Sequence, residues 1–231
     1  HINTLGLLGG MSRESSAVYY RLLNERGGAI LGGSQSCHCI MESVDFDHIE
    51  RLQHDNKWGE LCQIMRDKAL KLEKAGAEII LLCTNTMHVC ESEMTANLNV
   101  PFLHIADATG QAIVSRGLER VGLLGTRFTM EKDFYSKILK EKYKVDVIIP
   151  SVEDRDLVHN CIYKELVRGQ FLPSSKKEFQ RIIRDLQAQG AQGVILGCTE
   201  IPMLIQQEDV EIPVFDTTSL HVEAALKSAL D

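Results

Sequence analysis

The amino-acid sequence predicts an α/β protein with two similar domains, each a parallel sheet flanked by helices, with an active site in the cleft between them. Three observations lead to this fold class. Sequence blocks recur in the same order, short apolar runs have strand length, and amphipathic segments of helix length separate those runs. Alternation of strands and helices is typical of α/β domains with parallel sheets.

The repeat is the most informative of these observations. Each of its three blocks returns at an offset between 112 and 116 residues. The matched positions are Gly6 and Gly122, Gly9 and Gly125, Gly76 and Gly190, Cys83 and Cys198, and Pro101 and Pro213. Because the order is kept and the offset is nearly constant, we interpret the chain as two homologous halves.

Four apolar runs are predicted to be strands: Leu5–Leu8, Ile79–Leu82, Val121–Leu124 and Val194–Leu196. Each run is apolar at every position except its glycines, which is typical of strands covered by helices on both faces.

Apolar stripes predict the helices that cover those strands. They comprise Leu61, Ile64, Met65, Ala69 and Leu72 in the first half, and Phe179, Ile182, Ile183 and Leu186 in the second. Gly76 and Gly190 follow these helices, where a helix-ending glycine is favoured. Ser12 is predicted to cap the helix after the first strand, and Thr129 the corresponding helix of the second half.

Composition excludes several classes of protein. The 231 residues carry 25 Lys and Arg against 32 Asp and Glu, a net charge of −7, which argues against binding to nucleic acid. No apolar run reaches the ~18 residues of a membrane-spanning helix. The N-terminus lacks signal-peptide character, so we expect a cytoplasmic protein whose seven cysteines are reduced thiols.

Known metal and nucleotide motifs are missing as well. Cys37-His38-Cys39 has no partner pair at zinc spacing, so we expect no metal site. The glycines of Gly6-Leu-Leu-Gly9-Gly10 match no phosphate-binding loop; we expect them to let Met11 and Ser12 turn tightly beside the cleft.

The two matched cysteines are the candidate chemistry. Cys83 and Cys198 each follow an apolar strand, at the sheet edge where ligands bind in parallel sheets. A lone cysteine closing a strand is more often a packing residue. A matched pair facing one cleft could instead remove a proton from one face of a carbon and deliver a proton to the other. The turns Thr84-Asn85-Thr86 and Thr199-Glu200 could receive a carboxylate.

Three motifs resemble those of the aspartate/glutamate racemase family, and especially its bacterial broad-specificity amino-acid racemase branch. They are Gly-Leu-Leu-Gly-Gly-Met-Ser at 6–12, Leu-Cys-Thr-Asn-Thr-Met-His at 82–88 and Gly-Cys-Thr-Glu at 197–200. The resemblance implies a racemase of amino acids that needs no pyridoxal phosphate or other cofactor, with Cys83 and Cys198 as its two bases.

The same resemblance implies which residues surround the substrate. Those around the α-carboxylate and amine are Met11, Ser12, Thr84, Asn85, Thr86 and Thr199. Arg51, Gln53 and Lys164 are implied around the distal group, although Arg51 and Lys164 could equally be solvated helix charges. Glu200 is expected either to modulate Cys198 or to cap the next helix. Arg13 stands where relatives often carry an aromatic residue.

Domain boundaries and partners also follow from the resemblance. It implies that the last helix returns to the first lobe, so residues 1–98 with 210–231 are expected to form one lobe and 99–209 the other. A small amino acid is the expected partner, with a homodimer possible. The alternatives are a two-lobed binding module and a related isomerase of the maleate or hydantoin type.

Overall fold

The computed structural model describes all 231 residues, and they form two compact units. The first comprises His1–His104 and His221–Asp231, and the second comprises Ile105–Leu220. The lobe division near residues 98 and 210 stays a prediction. None of the helices combines the length and the apolar character that a membrane span requires.

The first unit contains a parallel sheet with strand order β2-β1-β3-β4. Its strands are β1 (Leu5–Gly9), β2 (Cys39–Ser43), β3 (Ile79–Leu82) and β4 (Phe102–Leu103). Its helices are α1 (Arg13–Leu31), α2 (Phe46–His54), α3 (Trp58–Lys74), a 3₁₀ helix (Thr86–Cys90) and α4 (Glu91–Thr95).

Both faces of this sheet are covered, as the apolar strands predict. Alternate side chains of a strand point to opposite faces. Ile80 and Leu82 accordingly join one buried cluster with Leu61 and Met65 of α3. Ile79 and Leu81 join a second buried cluster, whose other members include Tyr19, Leu23, Val222 and Ala225.

The second unit repeats the topology, with strand order β6-β5-β7-β8 and all pairs parallel. Its strands are β5 (Arg120–Leu124), β6 (Asp146–Ile148), β7 (Val194–Leu196) and β8 (Val214–Asp216). Its helices are α5 (Ile105–Ser115), α6 (Arg127–Glu131), α7 (Phe134–Tyr143), α8 (Val152–Lys164), α9 (Pro173–Ala188), α10 (Ile201–Leu204), and two 3₁₀ helices, Leu166–Arg168 and Gln207–Asp209. Helix α11 (Thr217–Leu230) begins here and continues into the first unit. The predicted fold class of two α/β domains, each a parallel sheet flanked by helices, is confirmed.

The helix ends test the local predictions. Gly76 and Gly190 follow α3 and α9 with φ of 106° and 102°, as expected for glycines that end helices. Ser12 occupies the N-cap position of α1 as predicted, but its side chain makes no capping hydrogen bond there. The prediction for Thr129 is wrong, because Thr126 caps α6 and its hydroxyl accepts a hydrogen bond from the Thr129 N–H.

The expectation that all seven cysteines are reduced is also wrong. Cys62 of α3 and Cys90 of the 3₁₀ helix form a disulfide, and the other five cysteines are free. Packing of these two helices brings the two Cα atoms to 5.0 Å, a separation that permits a disulfide. Both cysteines lie in the buried cluster on the α3 side of the sheet.

Reduction of this disulfide is expected to lower the free energy of unfolding of the first unit by about 2–4 kcal/mol, because a 28-residue separation between the cysteines is no longer closed in the unfolded chain. Urea denaturation with and without reductant measures the difference through Trp58, the chain's one tryptophan, which lies on α3. The double variant C62A/C90A is the control and should not respond to reductant. An equal response in that variant would contradict the assignment.

Candidate active site

Cys83 directly follows β3 and is fully buried. Its N–H donates to the Leu8 carbonyl at 2.9 Å, and its carbonyl accepts from the Ser15 hydroxyl at 3.0 Å. Its side chain belongs to the cluster that contains Ile79 and Leu81. Burial raises the pKa of the Cys83 thiol, and the nearby Cys39 adds to this. Cys83 is therefore a neutral thiol at pH 7 in the ligand-free chain.

The segment after Cys83 is buried as well, and it contains the predicted substrate residues Thr84, Asn85 and Thr86. It leads into the 3₁₀ helix Thr86–Cys90. His88 of that helix folds back, so that its Nδ1 lies 2.7 Å from the Thr84 carbonyl oxygen. This part of the chain is thus a closely packed turn at the carboxyl edge of the sheet.

Met11 and Ser12 lie at the same edge, because they follow β1, the parallel neighbour of β3. Both are buried. The tight turn expected from the glycines occurs at Gly10, where φ is 91° and the N–H donates to the Ser16 hydroxyl at 2.7 Å. The first unit therefore gathers Met11, Ser12 and the Cys83–Thr86 segment in one region.

Gln53 of α2 joins this region, whereas the basic residues do not. The buried Gln53 amide contacts the Met87 sulfur at 3.3 Å. The Arg51 side chain is 68% exposed and pairs with Asp47 at 2.6 Å on its own helix. Arg13 is exposed and pairs with Glu14. For Arg51, this is the solvated helix charge that the sequence left as an alternative.

Cys198 closes the corresponding strand of the second unit, but at a different register. The Gly197 N–H donates to the Leu124 carbonyl, as the Cys83 N–H donates to that of Leu8. Cys83 therefore corresponds in register to Gly197, and Cys198 lies one residue farther along. A Cβ atom on Gly197 would lie 2.7 Å from the Leu124 oxygen, so the extra residue has to be glycine.

A carboxylate partners the Cys198 thiol. The thiol donates to Oε2 of Glu200 at 2.9 Å, and the Thr199 hydroxyl donates to the same oxygen at 3.1 Å. All three residues are buried. Burial, the Glu200 charge and this hydrogen bond raise the pKa of Cys198 well above its usual value. Glu200 also occupies the N-cap position of α10 but makes no side-chain capping hydrogen bond there, so the structure favours modulation of Cys198.

Lys164 lies at the end of α8, with its side chain exposed. It lines a cavity of about 370 Å³ between α8 and α9. The other residues that line this cavity are Leu157, Asn160, Cys161, Glu165, Ser174, Ser175 and Glu178. Cys198, Thr199 and Glu200 are not among them, so within this unit the structure does not bring Lys164 to the candidate thiol.

Sequence reasoning missed two residues of the first unit. Ser15 and His88 bond to backbone carbonyls of the Cys83 segment. His88 is part of the 82–88 motif, which could have singled it out; Ser15, in the first turn of α1, has no comparable signal. No group of three or more His, Cys, Asp or Glu side chains has an arrangement that could hold a metal ion.

Comparison with known proteins shows which family the chain is similar to. Residues 8–225 match the family model described as Asp/Glu/hydantoin racemase. The chain is 25% identical to the broad specificity amino-acid racemase RacX of Bacillus subtilis (strain 168), over 98% of both chains.

Two solved structures are similar to the chain over their whole length. A putative Asp/Glu racemase from Yersinia pestis is 46% identical, with a TM-score of 0.90 and full coverage of both chains. An aspartate racemase homologue from Pyrococcus horikoshii OT3 is 34% identical, with a TM-score of 0.84 and the same coverage. The chain belongs to the Asp/Glu/hydantoin racemase family, whose members are isomerases.

Proposed function

We propose that the chain is a cofactor-independent amino-acid racemase that uses Cys83 and Cys198 as its two acid/base groups. One observation carries the proposal. In each unit of this racemase-family chain, a buried cysteine followed by a threonine lies just after the strand that pairs with the unit's first strand. Aspartate and glutamate are the first candidates for the substrate, and neutral amino acids follow.

In the proposed reaction, one thiolate takes the Cα proton and becomes a thiol. The other cysteine, a thiol at the start, gives its proton to the opposite face of Cα and becomes a thiolate. No net proton is gained or lost, and the roles exchange in the reverse direction. The proposed reaction therefore requires that both cysteines reach the same Cα atom.

The thiolate has to be generated, because both cysteines have raised pKa values. The α-ammonium group of an amino acid is a cation, and a cation beside a thiol lowers its pKa. Binding of the substrate would thus supply the charge that favours the thiolate. Glu200 acts in the opposite sense on Cys198, so we propose that Cys198 starts as the proton donor.

The predicted substrate residues have separate tasks in this proposal. Buried hydroxyl and amide groups would hold the α-carboxylate and amine; they belong to Ser12, Thr84, Asn85, Thr86 and Thr199, with Met11 packing beside them. Gln53 would contact the distal group of the substrate. Arg51 and Lys164 would have to move from their present positions to take part.

Replacement of Glu200 by glutamine is expected to lower the pKa of Cys198, since the charge and the carboxylate acceptor both raise it. At a fixed pH below that pKa the thiolate fraction increases, so alkylation of Cys198 should become about tenfold faster, as expected for loss of a charge-assisted hydrogen bond. Mass spectrometry of iodoacetamide-treated protein measures the rate, with Cys83 as internal control. An unchanged rate would show that Glu200 does not hold the thiol proton.

The decisive experiment for the function is exchange of the Cα proton in D₂O, followed by NMR. Purified protein without added cofactor is incubated with L-aspartate, L-glutamate and a panel of neutral L-amino acids. Exchange of some of these, with formation of the D-enantiomer and loss of both after alkylation, is the expected result. Folded protein with free thiols that exchanges none of them would refute the proposal.

Hydantoin racemisation is the second candidate, because the matching family model includes hydantoin racemases. A two-thiol mechanism could act equally on the acidic carbon of a substituted hydantoin. Including an optically pure hydantoin in the exchange panel separates the two functions. The maleate isomerase and binding-module alternatives predict no exchange in any member of the panel.

A homodimer and a cytoplasmic location also remain proposals. The five free thiols favour a reducing compartment, whereas a structural disulfide such as Cys62–Cys90 is uncommon there. Cell fractionation tests the location, and light scattering on the purified protein tests the dimer.

A further inference from the structure

The His88 imidazole contacts two backbone carbonyl oxygens of the candidate active-site segment. Its Nδ1 lies 2.7 Å from the Thr84 oxygen and 3.3 Å from the Asn85 oxygen. Its own backbone N–H donates to the same Asn85 oxygen at 3.0 Å. Carbonyl oxygens can only accept, so the proton of the neutral ring must be on Nδ1.

The surroundings keep this ring neutral. His88 is buried, and its ring centroid lies 4.6 Å from that of His104 and 6.0 Å from that of His221. Burial, with the two neighbouring imidazoles, lowers the pKa of His88 well below its usual value. Burial also lowers the pKa of His221 to about 4.

His221 provides a natural contrast, because it has the opposite tautomer. Its Nε2 donates to the Leu103 carbonyl at 2.8 Å, so its Nδ1 accepts from the Tyr19 hydroxyl at 2.6 Å. The same cluster therefore contains two buried neutral histidines, and of these His88 is the one that bonds to the Cys83 segment.

Successive backbone groups around Cys83 make hydrogen bonds to neighbouring elements. The Cys83 N–H donates to the Leu8 carbonyl of β1, and the Cys83 carbonyl accepts from the Ser15 hydroxyl of α1. The next two carbonyls along the chain, of Thr84 and Asn85, are both bonded by His88. Because each peptide unit is planar, holding these oxygens also fixes the direction of the following N–H groups.

The 3₁₀ helix that carries His88 is bound to two other helices, by one residue before His88 and by one residue after it. Met87 contacts the Gln53 amide of α2 at 3.3 Å, and Cys90 is bonded to Cys62 of α3. These two contacts hold the His88 imidazole in place. The segment to which it bonds therefore cannot shift without breaking the hydrogen bonds to His88.

We propose that His88 is the positioning residue of the Cys83 thiol, acting through its Nδ1–H on the carbonyls of Thr84 and Asn85. This role rests on the proposed function, since it matters for catalysis only if Cys83 transfers a proton. The hydrogen bonds predict a second property that does not depend on catalysis: His88 protects Cys83 from reagents by holding its segment closed.

The test exploits the position of the donor nitrogen. Asparagine places its amide nitrogen where Nδ1 stands in histidine, whereas glutamine places it at the position of Nε2. His88→Asn is therefore expected to retain the contacts, and His88→Gln to lose them. His221→Gln is the matched control, because it keeps a donor at the Nε2 position of a neighbouring buried histidine.

The first readout is alkylation of Cys83 by iodoacetamide, with Cys198 of the other unit as internal control. In His88→Gln, Cys83 should react about tenfold faster than in the wild type, the effect of losing an ordinary buried hydrogen bond, while Cys198 is unchanged. His88→Asn and His221→Gln should keep the wild-type rate at both cysteines. Equal acceleration of both cysteines would indicate general destabilisation and overturn the proposal.

The second readout is the primary deuterium isotope effect on kcat/KM with substrate labelled at Cα. If His88→Gln displaces only Cys83, the isotope effect should rise for the enantiomer that Cys83 deprotonates and fall for the other one. A uniform loss of activity with unchanged isotope effects would refute a role in positioning. If the wild type racemises nothing, the proposed function fails, and the alkylation rates still decide whether His88 holds the Cys83 segment.

Discussion

Replacing either Cys83 or Cys198 by serine is expected to lower kcat/KM for racemisation by about 10²–10⁴-fold, the range for loss of a general acid or base. Each racemisation uses both groups, so neither variant can be rescued by the remaining thiol. A serine hydroxyl is a far weaker acid than a thiol and forms no useful base near neutral pH. Chiral chromatography of the products from each enantiomer measures the loss.

The same variants should show which cysteine acts on which face of the substrate Cα. A variant that retains one thiol can still remove the Cα proton of the enantiomer that presents it to that cysteine. Cys83→Ser should therefore catalyse slow exchange in D₂O of one enantiomer, and Cys198→Ser of the other. This assigns each cysteine to a face of Cα.

Cys161→Ser is the matched control for these variants. Cys161 is a buried free cysteine of α8 and lines the cavity between α8 and α9. Burial raises its pKa to about 11, so its substitution removes a thiol of similar environment. It should leave racemisation unchanged. Wild-type activity in Cys83→Ser or Cys198→Ser would exclude the two-base mechanism.

Gly10→Ala is expected to destabilise the first unit by about 2–5 kcal/mol. Gly10 has φ of 91°, which L-residues with a Cβ rarely adopt. The added Cβ would also lie 2.5 Å from the Val44 carbonyl oxygen and 2.7 Å from the Val44 nitrogen. These are backbone atoms of the chain after β2, so the overlap is relieved only by moving the chain beside Met11 and Ser12.

Gly76→Ala separates the two contributions to this cost. Gly76 has φ of 106°, but a Cβ there would meet nothing within 4 Å. It should lose about 1–2 kcal/mol from backbone strain alone. Urea denaturation followed by Trp58 fluorescence compares both variants with the wild type. If the two variants are equally stable, the contact with Val44 contributes nothing to the need for glycine at position 10.

The local pattern of the chain predicted much of the fold. The strands β1, β3, β5 and β7 lie within one residue of the predicted apolar runs, because strands buried on both faces are recognisable without knowledge of their neighbours. The outer strands β2, β4, β6 and β8 were not predicted. Most of their side chains are half-buried or exposed, so the continuous apolar signal is missing there.

The sequence by itself determined the duplicated α/β architecture, the two candidate cysteines and the glycines that end α3 and α9. These depend on periodicity and on conformational preferences that act within a few residues.

Only the tertiary structure decided which groups surround those cysteines. The register offset of Cys198 depends on the pairing of β7 with β5, and the Cys62–Cys90 disulfide on the packing of α3 against the 3₁₀ helix. The hydrogen bonds of Glu200 and His88 join near neighbours in sequence, but they require a particular turn after each strand. Such turns are set by the burial of the whole segment, because buried polar groups must find partners where packing leaves them.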